Sequence, residues 1–122
     1  MALSDYEAVR EVILQYIHGS GNGDANALRE IFFTEAVMSG DYQGTLRFGT
    51  PDSFFELVEN SPPLTESGAD YKSVISSIEV VGRVASAVLK EEGFFGANFT
   101  DFFHLMKKDG EWKIISKTYT TE

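Results

Sequence analysis

The chain has 122 residues, ten of them Phe, and a hydrophobic fraction of 43%, which is the composition of one globular domain with a core of its own. It has no Cys and two His, so a disulfide framework, a thiolate metal site and a Cys nucleophile are excluded, and no metal or cofactor is expected. The net charge of −9 comes without a basic stripe, which argues against nucleic acid and anionic membranes as partners.

The first segment predicts a helix. Ser4 and Glu7 fit a capping box, and Tyr6, Val9, Val12, Ile13, Tyr16 and Ile17 recur at spacings of three and four to make one apolar face. The run Gly19-Ser20-Gly21-Asn22-Gly23 is expected to end it. Asp24 is a good cap for a short second helix containing Leu28, Ile31 and Phe32. Ala36–Ser39 reads as a short strand, Asp41–Gly44 as a turn and Thr45–Phe48 as a second extended piece. Thr50-Pro51 opens a third helix, with Thr as the cap and Pro at the first position, and Phe54, Phe55, Leu57 and Val58 give it an apolar face. Pro62-Pro63 ends it, and the loop to about residue 70 is rich in Ser, Pro, Gly and acids.

From Tyr71 the pattern turns to β: Lys72–Val81, then Val84–Glu91 after a break at Gly82, then the aromatic strand Asn98–Lys107. Asp109-Gly110 is a hairpin signal leading into Glu111–Thr120. Helices followed by an antiparallel meander indicate an α+β fold, with three N-terminal helices covering one side of a sheet in a single domain over 1–122. The charge divides in the same place. Residues 1–70 carry 12 acids and three bases, and residues 71–122 carry seven of each. No stretch approaches the roughly 18 apolar residues of a membrane span. The opening MALSDYEAVREV lacks the basic stretch and apolar run of a secretion signal, so a cytoplasmic protein is expected.

Gln15-Tyr16-Ile17, Gly23-Asp24, Leu28, Ile31-Phe32 and Ala36-Val37 resemble the first part of the nuclear transport factor 2-like superfamily, which includes ketosteroid isomerase, scytalone dehydratase and the polyketide cyclases. Asn98–Phe102, Leu105, Lys107, Asp109–Ile115 and Lys117 resemble its lumazine-binding subgroup. The resemblance implies a cone (a cystatin-like α-β roll), in which a curved antiparallel sheet wraps around a pocket closed by the helices. It also implies a homodimer paired through the convex face of the sheet, and pterin-like ligands.

In the strand Asn98–Lys107 one face carries Phe99, Asp101, Phe103 and Leu105, three large apolar residues around one acid. If that face looks into the cone, Asp101 is desolvated among aromatic rings, which favours the neutral form of a carboxylic acid, and a neutral carboxyl can donate a hydrogen bond to an oxyanion. The resemblance matches Tyr16 and Asp101 to the two oxyanion-hole donors of ketosteroid isomerase, so these two are the candidate catalytic residues. The same matching puts that enzyme's Asp base at Gly40, one residue before Asp41, which is expected in a solvated turn. A bland alternative has Tyr16 and Asp101 satisfying each other across the cone. The candidate ligand pocket is Tyr16, Phe32, Phe54, Phe99, Asp101 and Phe103.

His104 lies on the opposite face with Phe102 and Met106, the convex face of the resembling fold, and His18 reads as a cap at the end of the first helix. In the last strand Trp112, Ile114, Ser116 and Thr118 alternate with Lys113, Ile115, Lys117 and Tyr119, and neither set is uniformly apolar, so its inward face is not assigned. Lys113 and Lys117 are expected to be solvated or ion-paired. The glycine run lacks the Lys-Ser/Thr of a phosphate loop. Glu56, Glu59, Glu66 and Asp70 read as a solvated face.

Three functions fit these features: a domain binding a small hydrophobic molecule in an aromatic pocket; a cofactor-free isomerase, dehydratase or cyclase using Asp101 and Tyr16; and a dimeric scaffold whose cone is filled by its own side chains. The acidic first half disfavours anionic ligands unless Arg47, Lys72 or Arg83 stands near the pocket mouth, so a neutral or weakly acidic ligand is expected.

Overall fold

The structure, a computed structural model, describes residues 3–68 and 70–122. Met1, Ala2 and Ala69 lie outside the described residues, the last of them within the loop expected up to residue 70.

Helix α1 spans Asp5–Asn22, and Ser4 caps it by accepting the Glu7 amide. It does not stop at the first glycine. It runs through Gly19 and Gly21 and ends at Gly23, whose φ of 71° is the left-handed conformation of a helix C-terminus and whose amide returns to the Gly19 carbonyl. His18 therefore lies a turn inside the helix rather than at its end. Helix α2 is Ala25–Glu30, with the Asp24 carboxylate accepting the Ala27 amide at 3.1 Å. It is shorter than the apolar spacing suggested, because Phe32 already belongs to strand β1.

Strand β1 is Phe32–Tyr42 and strand β2 is Thr45–Gly49, joined by a tight turn. The expected four-residue strand is thus eleven residues long. Helix α3, Asp52–Glu59, starts one residue later than expected: Pro51 is the cap residue, and the Thr50 hydroxyl accepts the Asp52 amide at 3.3 Å. Strands β3 (Lys72–Val81), β4 (Val84–Phe94), β5 (Ala97–Lys108) and β6 (Glu111–Thr121) form the meander. The turn between β4 and β5 is Phe95-Gly96, so Glu92 and Gly93 are still strand.

The six strands lie in the order β2-β1-β6-β5-β4-β3. The sheet is antiparallel except where β1 runs parallel to β6, a pairing that the long intervening chain permits. Pairing shifts interrupt the ladders at Phe32/Val37, Ile75/Ser77, Glu91/Phe94 and His104/Leu105. Such bulges bend a strand and deepen its twist, which is how the sheet curls into the expected α+β cone. α1 lies inside the curl. Val9, Ile13 and Tyr16 are buried with Leu28 of α2, Phe55 and Val58 of α3, and Leu89, Phe103, Leu105 and Ile114 of the sheet. Each fully buried side chain of this size contributes about 1.5–3 kcal/mol. The Asp5 carboxylate accepts from Lys107 at 2.9 Å and from the Trp112 indole at 3.1 Å, tying the start of α1 to the β5–β6 hairpin. Those two bonds hold the Asp5 carboxyl below the usual carboxylate range.

Candidate functional site

The concave side of the sheet does not close completely. A cavity of about 430 Å³ remains between α3, the β1–β2 hairpin and the inward faces of β4, β5 and β6. Ten Phe therefore do not plug the cone. Phe94, Phe95 and Phe99 form one wall, where Phe94 meets Phe95 and Phe99 edge to face. Tyr42 and Tyr119 adjoin that wall, their rings 6.1 and 5.9 Å from Phe99, with Arg47 at the rim, and Ser53, Phe54 and Leu57 of α3 complete the lining with Met38.

Three ionisable side chains sit at the inner end, one from each neighbouring strand: Glu91 of β4, Asp101 of β5 and Lys117 of β6. They are 2%, 1% and 5% exposed, so the protein has withdrawn all three from water. Register explains the meeting. Asp101 pairs with Leu89 on one side and Tyr119 on the other, which leaves Glu91 and Lys117 as its diagonal neighbours on the same face.

Asp101 is where its strand's alternation predicted. Tyr16 donates to Asp101 Oδ2 at 3.5 Å, a long bond, and Oδ1 has no donor among the described residues. The expected mutual satisfaction of the two is therefore half complete. Tyr71 donates to Glu91 at 2.5 Å. Burial pushes the Glu91 carboxyl well above the usual range, and the hydrogen bond and charge of Asp101 beside it push the same way. Lys117 and the Tyr71 hydroxyl oppose the shift without cancelling it. Burial and the neighbouring Asp101 thus favour the neutral form of Glu91, the form the sequence had suggested for Asp101. Burial, then the charges of Asp101 and Glu91, push the Tyr16 hydroxyl well above its ordinary value, so it is a donor and not a phenolate.

Lys117 corrects an expectation. It is buried and, among the described residues, not ion-paired within 4 Å: its ammonium lies 3.9 Å from the centre of the Phe54 ring, 5.1 Å from Tyr16 and 5.5 Å from Tyr119. The reason is a bulge. His104 pairs with Ser116 and Leu105 with Ile114, so Ile115 is an extra residue and the alternation of β6 changes phase there. Trp112 and Ile114 face inward before it, and Lys117 and Tyr119 after it.

Of the other pocket residues expected from the sequence, Phe54 and Phe99 line the cavity, whereas Phe32, Phe103 and Tyr16 do not. These three form the packed layer behind it, with Tyr16 stacked on Phe54 at 5.5 Å and edge-on to Phe103 at 4.9 Å. Glu91 went unnoticed, although Ala85, Ala87 and Leu89 precede it at a spacing of two and point to the same face. Gly40 has no room for a base: a Cβ there would meet the Tyr119 ring at 2.6 Å. Asp41 accepts the Gly44 amide at 2.8 Å and holds the β1–β2 turn. Arg47 reaches the cavity rim, while Lys72 pairs with Asp70 and neither it nor Arg83 lines the cavity. His104 is exposed on the convex side, 3.3 Å from the Ser116 hydroxyl. Among the described residues no group of three or more His, Asp or Glu is placed to hold a metal ion, and no helix is long and apolar enough to cross a membrane.

The same architecture recurs in solved structures. An NTF2-like protein of unknown function from Shewanella baltica OS155 is 31% identical, with 97% of this chain covering 94% of that one at a TM-score of 0.86. A cystatin-like domain of unknown function from Nostoc punctiforme is 16% identical over 100% of this chain and 80% of that one, at a TM-score of 0.73, and shows the fold alone. Among characterised proteins the chain is 25% identical over 119 residues to the aldolase FrzH of Cladobotryum sp, covering 95% of this chain and 90% of that protein. Residues 4–120 match the family described as "Putative lumazine-binding", and with the fold above the chain belongs to that family, within the NTF2-like superfamily.

Proposed function

We propose that this protein is a small-molecule-binding domain whose ligand sits in the cavity between α3 and the concave face of the sheet. The observation that carries this reading is the open cavity itself, which brings the side chains of Glu91, Asp101 and Lys117 to one end of an aromatic-walled space. The volume of about 430 Å³ and the aromatic walls suit a drug-sized apolar body, the usual partner of a cavity with a few polar groups. The test is a calorimetric titration of lumazine, related pterins and polycyclic ketones into the wild type and into Asp101→Asn. A binder seated at the inner end is expected to change about tenfold in affinity in the variant, because the substitution removes the Asp101 charge there. Equal affinity for both proteins would remove Asp101 from the site.

A second reading, acid–base catalysis, is favoured by the Glu91–Asp101 contact. Two touching carboxyls share a proton between them, which suits one to give and the other to take it. A relative named as an aldolase supports this reading, since aldol chemistry needs a base at a carbon acid and a donor at a carbonyl oxygen.

We also propose a homodimer through the convex face, where Phe102 and Met106 are 51% and 43% exposed beside Val81 and Val84. Sedimentation at micromolar concentration should give twice the mass of the 13.5 kDa chain, and a monomer would refute the pairing.

A further inference from the structure

We propose that the ligand of this cavity is a hydrophobic anion, a planar body with one negatively charged oxygen, and that Lys117 and Arg47 select for that charge. The proposal deepens the small-molecule reading above and rests on it.

It stands first on Lys117. Lys117 as a whole residue is 5% exposed, yet its ammonium forms no hydrogen bond and no ion pair within 4 Å among the described residues. It has three N–H donors, and what surrounds it most closely is ring face: Phe54, Tyr16 and Tyr119. Ring faces return about 0.5–2 kcal/mol to a cation, whereas burying an ion costs several kcal/mol. The cavity it lines is the space from which an acceptor can reach it.

Arg47 supplies the second observation. It stands at the rim with its guanidinium 4.9 Å from the centre of the Tyr42 ring and no carboxylate within 4 Å among the described residues. An unpaired planar fork stacked on a ring at a cavity mouth is suited to a carboxylate or an enolate.

The charge count agrees. Glu91 and Asp101 with one proton between them carry one negative charge, against two positive ones on Lys117 and Arg47. The cavity is therefore net positive inside a chain of net charge −9. None of the acids of residues 1–70 lines the cavity, whereas β2 delivers Arg47 to its rim.

Three naphthalenes of one shape test the proposal by isothermal titration calorimetry: 2-naphthoate, the uncharged 2-naphthamide and the cationic 2-naphthylmethylamine. The expected order is carboxylate first, by about tenfold over the amide, and the amine last. Arg47→Gln, at an exposed rim position, should cut the carboxylate's advantage over the amide by about threefold to fivefold. Lys117→Met, which keeps the length and apolar stem, should abolish the rest. An amide that binds as tightly as the carboxylate, or an advantage unchanged in both variants, overturns the anion selectivity and leaves the small-molecule reading standing. No heat from any of the three at millimolar concentration overturns both.

Discussion

The inward faces of β4, β5 and β6 each change character along their length, and they change at the same level. At one end Ala85, Ala87 and Leu89, Phe103 and Leu105, and Trp112 and Ile114 pack under α1 with no ionisable group among them. At the other end the same strands present Glu91, Asp101 and Lys117, and the packing gives way to a cavity. Both ends are equally hidden from bulk water, so burial alone does not separate them. What separates them is what fills the space. The closed end is filled by its own side chains, and the open end keeps three ionisable groups beside an unfilled space, among them an ammonium against aromatic rings. The fold spends stability at one end that it gains at the other, which is the pattern expected where a scaffold holds a site.

The contrast breaks most directly on one strand. Leu105→Ala empties a fully buried position of the closed end and should cost about 2–5 kcal/mol in urea denaturation. Phe99→Ala, six residues away on the same face, removes a larger side chain that is only half-buried and already borders empty space. It should cost less than about 2 kcal/mol, because no new enclosed void is made. Equal losses at the two positions would mean that the open end is packed after all.

The closed end was largely legible in the sequence, and the open end only in part. The helix face of α1 and the alternation of β5 state their geometry outright, since periods of 3.6 and 2 run through them without interruption. Asp101 was found for that reason. Lys117 could not be, because the bulge at Ile115 reverses the phase of β6 between two residues that look alike in composition. No local residue signal marks that bulge; it is set by pairing with β5. Glu91 was within reach, since it continues a run of small and apolar residues at a spacing of two, but a charged side chain ending an apolar run reads as solvated until its neighbours are known. Gly40 is the converse. The resemblance drew attention to a missing base, and the structure gives a packing reason, the ring of Tyr119 lying where any side chain would go.

The smaller effect is one of pH. Glu91 is carried above the usual carboxylate range by burial and by Asp101, so the folded protein holds a proton that the unfolded chain releases at about 4.5. Between that value and the raised one the native state binds more protons than the unfolded state, and stability falls as pH rises, by at most about 1.4 kcal/mol per pH unit for one group. Below about 4.5 both states are protonated and the contribution is fully present. Glu91→Gln fixes the neutral form and keeps an acceptor for Tyr71, so its urea midpoint should gain on the wild type as pH rises from 5 toward the raised Glu91 value. Asp5, held low by Lys107 and Trp112, titrates below that window and is the same in both proteins. Leu105→Ala removes no ionisable group, and Asp5 at the closed end titrates below this window, so that variant should instead run parallel to the wild type over the same range. If Glu91→Gln also ran parallel, the proton would not be on Glu91, and the open end would lose the feature that most sets it apart from the closed one.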